Sequence, residues 1–248
     1  MLRNVRSKGC FRPFCEKNIA KFAEDLLEGC ILEQMDGGED DEMENANAYW
    51  DAIYSDGAHA DAGYDGWLDD FQDALAQAGH VLELGAGDGA DTGFLRDVCS
   101  SVVSCDFSEA ALNRLRSRYP GATTLPVDLT EPLPFEDGAF DAVIADLCLH
   151  YFPMRKTEEI LAELHRVLAP GGWLLLRVNA TEEYVPAPGD VQLEEDYYQA
   201  HGCARRYFAR ETLEGLLSSL RVVRLCRDTT GKYGARKHMW MAAAVKEA

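Results

Sequence analysis

Residues 82–91, LELGAGDGAD, combine the residue types that bind a nucleoside at the end of a strand. Gly85 and Gly87, with Ala90 behind them, follow an apolar run and precede a helical pattern. Small residues there let the backbone approach a ligand closely, and the start of the helix adds free N–H groups. Asp106 ends the next apolar run, where its carboxylate could accept hydrogen bonds from two ribose hydroxyls. A glycine spacing alone is a weak signal, but its combination with Asp106 predicts a nucleoside site.

Acidic side chains surround this glycine turn, namely Glu83, Asp88 and Asp91. A pyrophosphate would favour a neutral or positive surround, whereas carboxylates suit a ligand that carries an ammonium and a sulfonium. Such a ligand is S-adenosylmethionine. An NAD-dependent oxidoreductase remains an alternative because the glycine spacing also fits that class.

Three later segments agree with a methyl-transfer enzyme. Asp128 follows the third predicted strand, where a carboxylate could accept from an adenine amino group. Residues 140–152, FDAVIADLCLHYF, end the fourth predicted strand, and residues 164–178, LHRVLAPGGWLLLRV, predict a helix, a turn and a fifth strand. With the glycine turn, these segments make residues from about 49 to 248 resemble class I S-adenosylmethionine-dependent methyltransferases of the small "methyltransferase domain" type.

The resemblance implies S-adenosylmethionine as cofactor, with S-adenosylhomocysteine as product. It also implies an α/β fold with a Rossmann-like doubly wound sheet of seven strands, in the order 3-2-1-4-5-7-6 with the last strand antiparallel. The implied cofactor contacts are Glu83, Gly85, Ala86 and Gly87 for the methionine part, Asp106 for the ribose, Phe107 for the adenine face, Asp128 and Leu129 for the adenine edge, and Asp146 and Leu147 for the aminocarboxylate.

Two aromatic segments upstream, YWDAIYSDG (49–57) and YDGWLDDF (64–71), resemble the thiol, tellurite and thiopurine methyltransferases. In that group an aromatic N-terminal segment folds over the cofactor. Trp50, Tyr54 or Trp67 could therefore face the sulfonium in a cation–π contact worth ~1–2 kcal/mol once desolvated. The alternative is that these side chains are core aromatics.

A catalytic base is needed only if the acceptor arrives protonated. His150, just beyond the fourth predicted strand, is the best placed candidate, with Tyr151 beside it. A structural histidine at a helix end is an equally good interpretation of the same position.

Substrate choice is expected to reside in residues 180–208, a long polar and aromatic insertion after the fifth predicted strand. Long irregular insertions at this edge are where lids and specificity loops occur. The tyrosines of this insertion offer rings for stacking, and its arginines offer planar cations that suit an anionic group of a small acceptor. These residues are Tyr197, Tyr198, Arg205, Arg206 and Tyr207. A pairing of the arginines with Glu194 or Glu195 would be a sufficient structural explanation.

The elements that position these residues alternate along the chain. Apolar runs that predict strands occur at residues 80–84, 101–106, 121–128, 140–146, 173–179, 221–226 and 237–246. Amphipathic helices are predicted between most of them, and Ser108 is suited to cap the second. Such alternation favours a mostly parallel sheet covered on both faces.

Composition limits the partners. The chain has 248 residues, 47% of them hydrophobic, and a formal charge of −19, so its surface on balance repels nucleic acid. No apolar run approaches the ~18 residues that span a bilayer, and the basic start lacks a signal-peptide apolar block, so we expect a cytoplasmic protein without membrane contact. Its eight scattered cysteines contain no CxxC pair, which favours reduced thiols over a disulfide framework or a metal site.

Three regions are predicted along the chain. Residues 1–35 form an N-terminal helical arm, residues 36–48 (DGGEDDEMENANA) an acidic linker, and residues 49–248 the methyltransferase domain. The arm and linker leave open a non-catalytic binding or scaffolding protein built on a methyltransferase-like fold. The sequence identifies neither the methyl acceptor, the accepting atom nor the oligomeric state.

Overall fold

The structure, a computed structural model, describes residues 49–56, 63–200, 202–232 and 236–247. The predicted arm (1–35) and acidic linker (36–48) lie outside the described residues, so both remain predictions.

Strands and helices alternate as the apolar pattern predicts. The strands are β1 (Val81–Leu84), β2 (Val102–Asp106), β3 (Thr123–Pro126), β4 (Phe140–Asp146), β5 (Leu168–Asn179), β6 (Val191–Glu194), β7 (Tyr197–Ala200), β8 (Cys203–Arg206), β9 (Arg221–Thr230) and β10 (Lys237–Val245). The helices are residues 49–55, α1 (Gln72–Gln77), α2 (Thr92–Val98), α3 (Glu109–Arg118), α4 (Met154–Val167) and α5 (Arg210–Leu216). Three-residue 3₁₀ turns occur at Asp69–Phe71, Leu149–Tyr151 and Thr181–Glu183.

The central sheet has seven strands in the order β3-β2-β1-β4-β5-β10-β9. Its first five strands are parallel, and β10 is antiparallel to both of its neighbours. With the insertion strands set aside, this is the predicted order 3-2-1-4-5-7-6 with the last strand antiparallel. The predicted fold class is confirmed.

Successive residues of the central strand β4 supply the two cores of the molecule. Val143 and Ala145 belong to the larger apolar cluster, which also contains α4 and α5 residues. Ala142 and Ile144 face the other way, into a cluster with residues of α1 and α2. Because a strand buried on both faces reads as a continuous apolar run, the segment FDAVIAD was recognisable as a central strand. The carboxyl ends of β1, β2 and β4 therefore lie at one edge.

The insertion at residues 180–208 is more ordered than the predicted irregular lid. It contains a separate three-stranded antiparallel sheet, β6-β7-β8. Its two ends meet, because Ala180 pairs with Phe208 and the Phe208 N–H donates to the Asn179 carbonyl at 2.9 Å. Strands of four residues with mixed polarity carry too little periodicity to be recognised in the sequence.

Among the described residues, the helices are too short or too polar to cross a bilayer. The cysteines in this part of the chain are free thiols, namely Cys99, Cys105, Cys148, Cys203 and Cys226.

Candidate functional site

The glycine turn after β1 adopts backbone angles that exclude larger residues. Gly85 and Gly87 have φ of +63° and +55°, in the left-handed region where a side chain is strained. A Cβ at Gly85 would overlap the Cβ of Cys148, and one at Gly87 would overlap the Tyr54 hydroxyl. Neighbouring parts of the protein therefore already require glycine here, independently of any ligand.

Asp106 holds the glycine turn against the start of α3. Its carboxylate accepts from the Gly87 N–H at 2.8 Å and from the Ser108 N–H at 3.0 Å. Ser108 caps α3 as predicted, because its hydroxyl oxygen accepts from the Ala111 N–H. Burial raises the pKa of Asp106 to about 6, against the effect of these backbone donors. The carboxylate is thus fixed at the end of β2, where the sequence predicted a ribose contact.

The helix of residues 49–55 packs over this turn. Arg114 donates to the Tyr54 carbonyl at 2.8 Å, and the Ser108 hydroxyl donates to Asp51. Burial raises the pKa of Tyr54, and the nearby carboxylates of Asp106 and Asp88 add to the effect. Tyr54 is consequently a neutral phenol beside the glycine turn.

Trp50 and Tyr151 extend this cover toward the end of β4. Their rings meet edge to face with centroids 5.1 Å apart, and Trp50 also lies 6.2 Å from the Tyr54 ring. Two of the three aromatic residues that the sequence selected, Trp50 and Tyr54, are therefore together.

Glu83 is engaged within the protein. It accepts from the hydroxyls of Thr92 at 2.7 Å and Ser104 at 2.6 Å, which ties β1 to α2 and β2. Burial raises its pKa to about 8. A cofactor contact for its side chain stays a prediction.

The predicted adenine-side residues lie at the ends of β2 and β3. Asp128 accepts from both the N–H and the hydroxyl of Thr130, at 2.8 and 2.7 Å, through one carboxylate oxygen. Leu129 packs against the larger core, and half-buried Phe107 follows Asp106. Their roles toward an adenine stay predictions.

A buried group of charges lies at the ends of β4 and β5, and we call it the charge cluster. Its members are Asp65, Asp91, Asp146, Arg177, Asp228 and Lys232. Arg177 is fully buried and donates five hydrogen bonds to three carboxylates. These are two to Asp146 (2.6 and 2.9 Å), two to Asp65 (2.9 and 3.2 Å) and one to Asp228 (3.1 Å).

Lys232 reaches into the charge cluster from the connection between β9 and β10. Its ammonium donates to Asp91 at 2.5 Å and to Asp146 at 2.8 Å. Burial opposes ionisation of Asp146, but Lys232 and Arg177 hold its pKa well below the usual range. Burial raises the pKa of Asp91 to about 6, and Asp146 adds to that effect.

The charge cluster contains four carboxylates and two cations, so it retains an excess of negative charge at neutral pH. Asp91 and Asp146 also line a cavity with residues of the glycine turn and of β1 and β4, namely Glu83, Leu84, Gly85, Ala86, Ala90 and Ile144. This charge complements a ligand end that carries positive groups.

Trp67 contacts two members of the charge cluster, Asp91 and Arg177. Its indole N–H donates to Asp91 at 3.0 Å, and the Arg177 guanidinium lies 4.7 Å from its ring centroid. Its cation–π partner in this structure is therefore a protein side chain.

Leu147 turns the chain sharply after Asp146. It has φ of +57°, which costs a residue with a branched side chain roughly 1–3 kcal/mol and is tolerated mostly at functional sites. Its N–H donates to the Arg177 carbonyl at 3.0 Å, so the bend is fixed by the neighbouring strand.

His150 and Tyr151 occupy the 3₁₀ turn beyond this bend. His150 is buried, and its Nδ1 has no hydrogen-bond partner among the described residues. Burial lowers the pKa of His150 to about 3, and the charges of Arg205 and Lys237 act in the same direction. The imidazole is therefore neutral at physiological pH, while burial raises the pKa of Tyr151 and keeps its phenol protonated.

The predicted substrate residues of the insertion separate into two groups. Tyr197 and Arg206 are buried and serve the fold, because Tyr197 donates to the Tyr151 carbonyl at 3.0 Å and Arg206 pairs with Glu194. Arg206 also donates to two main-chain carbonyls, at 3.0 and 3.2 Å. The structural explanation weighed for this arginine therefore holds in the structure.

The second group is half-buried. Tyr198 and Tyr207 form an aromatic cluster with Tyr184, whose ring lies 4.0 Å and 4.8 Å from theirs. Arg205 lies close to Tyr207 and to the phenols of Tyr49 and Tyr151. The structure thus brings Arg205, but not Arg206, to His150 and Tyr151.

Sequence reasoning missed most of the charge cluster, namely Asp65, Arg177, Asp228 and Lys232. The available signal was Arg177 itself, a lone charge within the apolar run WLLLRVN, since a buried charge requires partners. Those partners lie up to 112 positions away in the chain, and local patterns do not identify them.

Comparison with known proteins agrees with this geometry. The family model described as "Methyltransferase domain" matches residues 82–176. An uncharacterized methyltransferase of Synechocystis sp. is 37% identical over 99 residues, which make up 40% of this chain and 46% of that protein. Demethylmenaquinone methyltransferase of Beutenbergia cavernae is 37% identical over 109 residues, 43% of each chain. The chain therefore spans less than half the length of these relatives.

Solved structures share the fold. The 1,6-didemethyltoxoflavin-N1-methyltransferase of Burkholderia thailandensis, with bound 1,6-didemethyltoxoflavin and S-adenosylhomocysteine, superposes with a TM-score of 0.56 at 19% identity. The superposition covers 98% of this chain and 94% of that chain. At this level of identity the likeness shows the architecture alone.

Proposed function

We propose that this chain, which carries a class I S-adenosylmethionine-dependent methyltransferase domain, transfers a methyl group to a small-molecule acceptor. The family resemblance seen in the sequence is confirmed by the matched domain. The observation that best supports catalysis is that the glycine turn, Asp106 and the charge cluster meet at one edge of the sheet, within and around the matched residues.

The residues at this edge fit the cofactor. Gly85 and Ala86 of the glycine turn line the cavity, so a ligand there can approach their backbone. Asp106 offers a fixed carboxylate for ribose hydroxyls, and Asp128 retains one carboxylate oxygen for an adenine amino group. The surplus negative charge around Asp91 and Asp146 suits the ammonium and sulfonium of the methionine end.

When bound, S-adenosylmethionine would supply a methyl group activated by its positively charged sulfur, for in-line transfer to an acceptor lone pair with the carbon–sulfur electron pair left on sulfur. The contribution of this chain is to orient the acceptor and exclude water, which can supply several kcal/mol of the rate enhancement. Trp50 and Tyr54 cover the site. His150 is the candidate base for an acceptor that arrives protonated. Its imidazole is neutral, but a pKa lowered to about 3 makes it a weak base, so it suits an acceptor whose proton leaves readily.

Two other classes have less support. The dinucleotide-binding reading rests on glycine spacing, and the acidic surround of Asp91 and Asp146 disfavours a pyrophosphate. A non-catalytic scaffold would not require the buried His150 Nδ1, which has no hydrogen-bond partner within the described segments.

Calorimetric titration of the full chain with S-adenosylhomocysteine and with NAD tests the cofactor assignment. We expect saturable binding of the homocysteine compound and none of NAD. Binding of NAD alone would overturn the proposal. Incubation with S-adenosylmethionine and metabolite pools, followed by mass spectrometry for gains of one methylene, then tests catalysis. A chain that binds the cofactor but methylates no pool would support the scaffold instead.

A further inference from the structure

We propose that Arg205 binds a negatively charged oxygen of the methyl acceptor, and that the acceptor is a small planar molecule held between the helix of residues 49–55, the turn Leu149–Tyr151 and β8. This inference rests on the proposed function and adds the chemical class of its substrate.

Arg205 differs from the other buried arginines in its partners. Arg177 is neutralised by three aspartates, and Arg206 pairs with Glu194. Among the described residues, Arg205 has no carboxylate within ion-pair distance. Its guanidinium instead lies near the Cys203 thiol and the phenols of Tyr151 and Tyr49.

These partners leave the positive charge of Arg205 uncompensated. Burial raises the pKa of Tyr49, Tyr151 and Cys203, so all three groups are neutral at physiological pH. A half-buried cation without a counterion is costly, and a carboxylate or phenolate from a ligand supplies one with planar, two-pronged geometry.

A second cation, Lys237, adds positive charge near Arg205. Lys237, at the start of β10, is exposed, yet desolvation and the charge of Arg205 lower its pKa. Glu183 is the carboxylate that acts on Lys237. Two cations that repel each other at one place, within a chain of formal charge −19, indicate that an anion belongs there.

His150 independently indicates that a polar group of an acceptor binds here. It is 3% exposed, and its Nδ1 lacks a hydrogen-bond partner in the described part of the chain. An unsatisfied buried polar atom costs about 1–3 kcal/mol. Both Arg205 and Lys237 act on this imidazole, so the orphan nitrogen and the uncompensated cation belong to one region.

The location next to the cofactor edge makes this region the acceptor's place. His150 and Tyr151 follow β4, whose last residue, Asp146, lines the cavity at the glycine turn. Trp50 lies between the turn Leu149–Tyr151 and the glycine turn, because it contacts Tyr151 and lies near Tyr54, which covers Gly87. Aromatic rings on these sides favour a flat acceptor.

Calorimetry on the full chain saturated with S-adenosylhomocysteine tests the inference. The probes are 4-hydroxybenzoate, its neutral amide 4-hydroxybenzamide, and the cationic tyramine. We expect the acid to bind roughly tenfold or more tightly than the amide, since hydrogen bonds to a charged group are the stronger ones. Arg205→Met should reduce acid binding to the level of the amide. Arg155→Met, a change on the exposed face of α4, is the control and should alter neither.

The outcomes separate the substrate class from the function. If S-adenosylhomocysteine does not bind the unmodified chain, the proposed function fails. If it binds, but the amide or the amine binds as tightly as the acid, or no probe binds at millimolar concentration, the anionic acceptor is overturned. Acid binding that survives Arg205→Met overturns the role of this arginine. Should that variant not fold by circular dichroism, Arg205→Lys replaces it, with weaker acid binding and unchanged amide binding expected.

Discussion

Replacement of Arg177 by methionine tests whether the charge cluster holds the molecule together. Arg177 has 0% exposure and five hydrogen bonds to Asp146, Asp65 and Asp228. The substitution preserves apolar volume but leaves buried carboxylates uncompensated, a loss of about 3–5 kcal/mol when one partner of a buried ion pair is removed. For a domain of this size the melting temperature should fall by roughly 6–20 °C, at about 2–4 °C per kcal/mol.

Urea unfolding followed by circular dichroism measures the loss, and Arg221→Met is the matched control. Arg221 also lies on a strand and faces a carboxylate, Glu247, but its side chain is 56% exposed. An exposed pair of this kind contributes about 0–1 kcal/mol.

A second substitution distinguishes charge from packing. Because the cost of Arg177→Met comes from unpaired carboxylates, adding Asp228→Asn should restore part of the lost free energy of unfolding. Asp228 is 31% exposed and does not line the cavity, so the change leaves the glycine turn alone. Equal, small losses for Arg177→Met and Arg221→Met, or no recovery in the double variant, would refute the electrostatic reasoning.

Three further predictions concern the cofactor and the N-terminal residues. Asp106→Ala should weaken S-adenosylhomocysteine binding at least tenfold in calorimetry, because hydrogen bonds to a buried carboxylate contribute about 1.5–3 kcal/mol each; unchanged affinity in a folded variant would mean that the ribose lies elsewhere. Since the pKa of Asp106 is raised to about 6, affinity should decrease as the pH falls below 6 and protonates the carboxylate, whereas Asp106→Asn should show a flat profile; a slope that persists in this variant would assign the titration to another group, such as Asp91. Deletion of residues 1–48 should leave the far-ultraviolet spectrum and cofactor affinity intact, and insoluble protein would show that this segment completes a core or an interface.

The fold was predictable because each strand of the central sheet has its own local signature. β4 coincides with the predicted run FDAVIAD, since a strand buried on both faces is apolar at every position. Strand ends were less certain, as β9 continues four residues past the apolar run RVVRLC into Arg227–Thr230, where pairing with β10 rather than apolarity sustains it.

Site residues at the ends of adjacent strands could be predicted from the sequence. Contacts between segments that are far apart in the chain could not. Gly85, Gly87 and Asp106 follow β1 and β2, so topology alone brings them together. Lys232 reaches Asp91 across 141 positions, and no periodicity encodes that contact. The two neighbouring arginines of the insertion looked alike in sequence, and their different partners follow from the alternation of side chains along β8.

The paired ends of the insertion have a consequence for how its length can change. Ala180 pairs with Phe208, and the Thr181 N–H donates to the Phe208 carbonyl at 3.2 Å, so the chain leaves and rejoins the domain at the same point. A segment whose two ends are held together can be lengthened at a small cost in stability, because doubling the length of a loop costs only about 0.6 kcal/mol in closure entropy. Residues 181–207 can thus change in length while β5, which ends at Asn179, keeps its place in the central sheet.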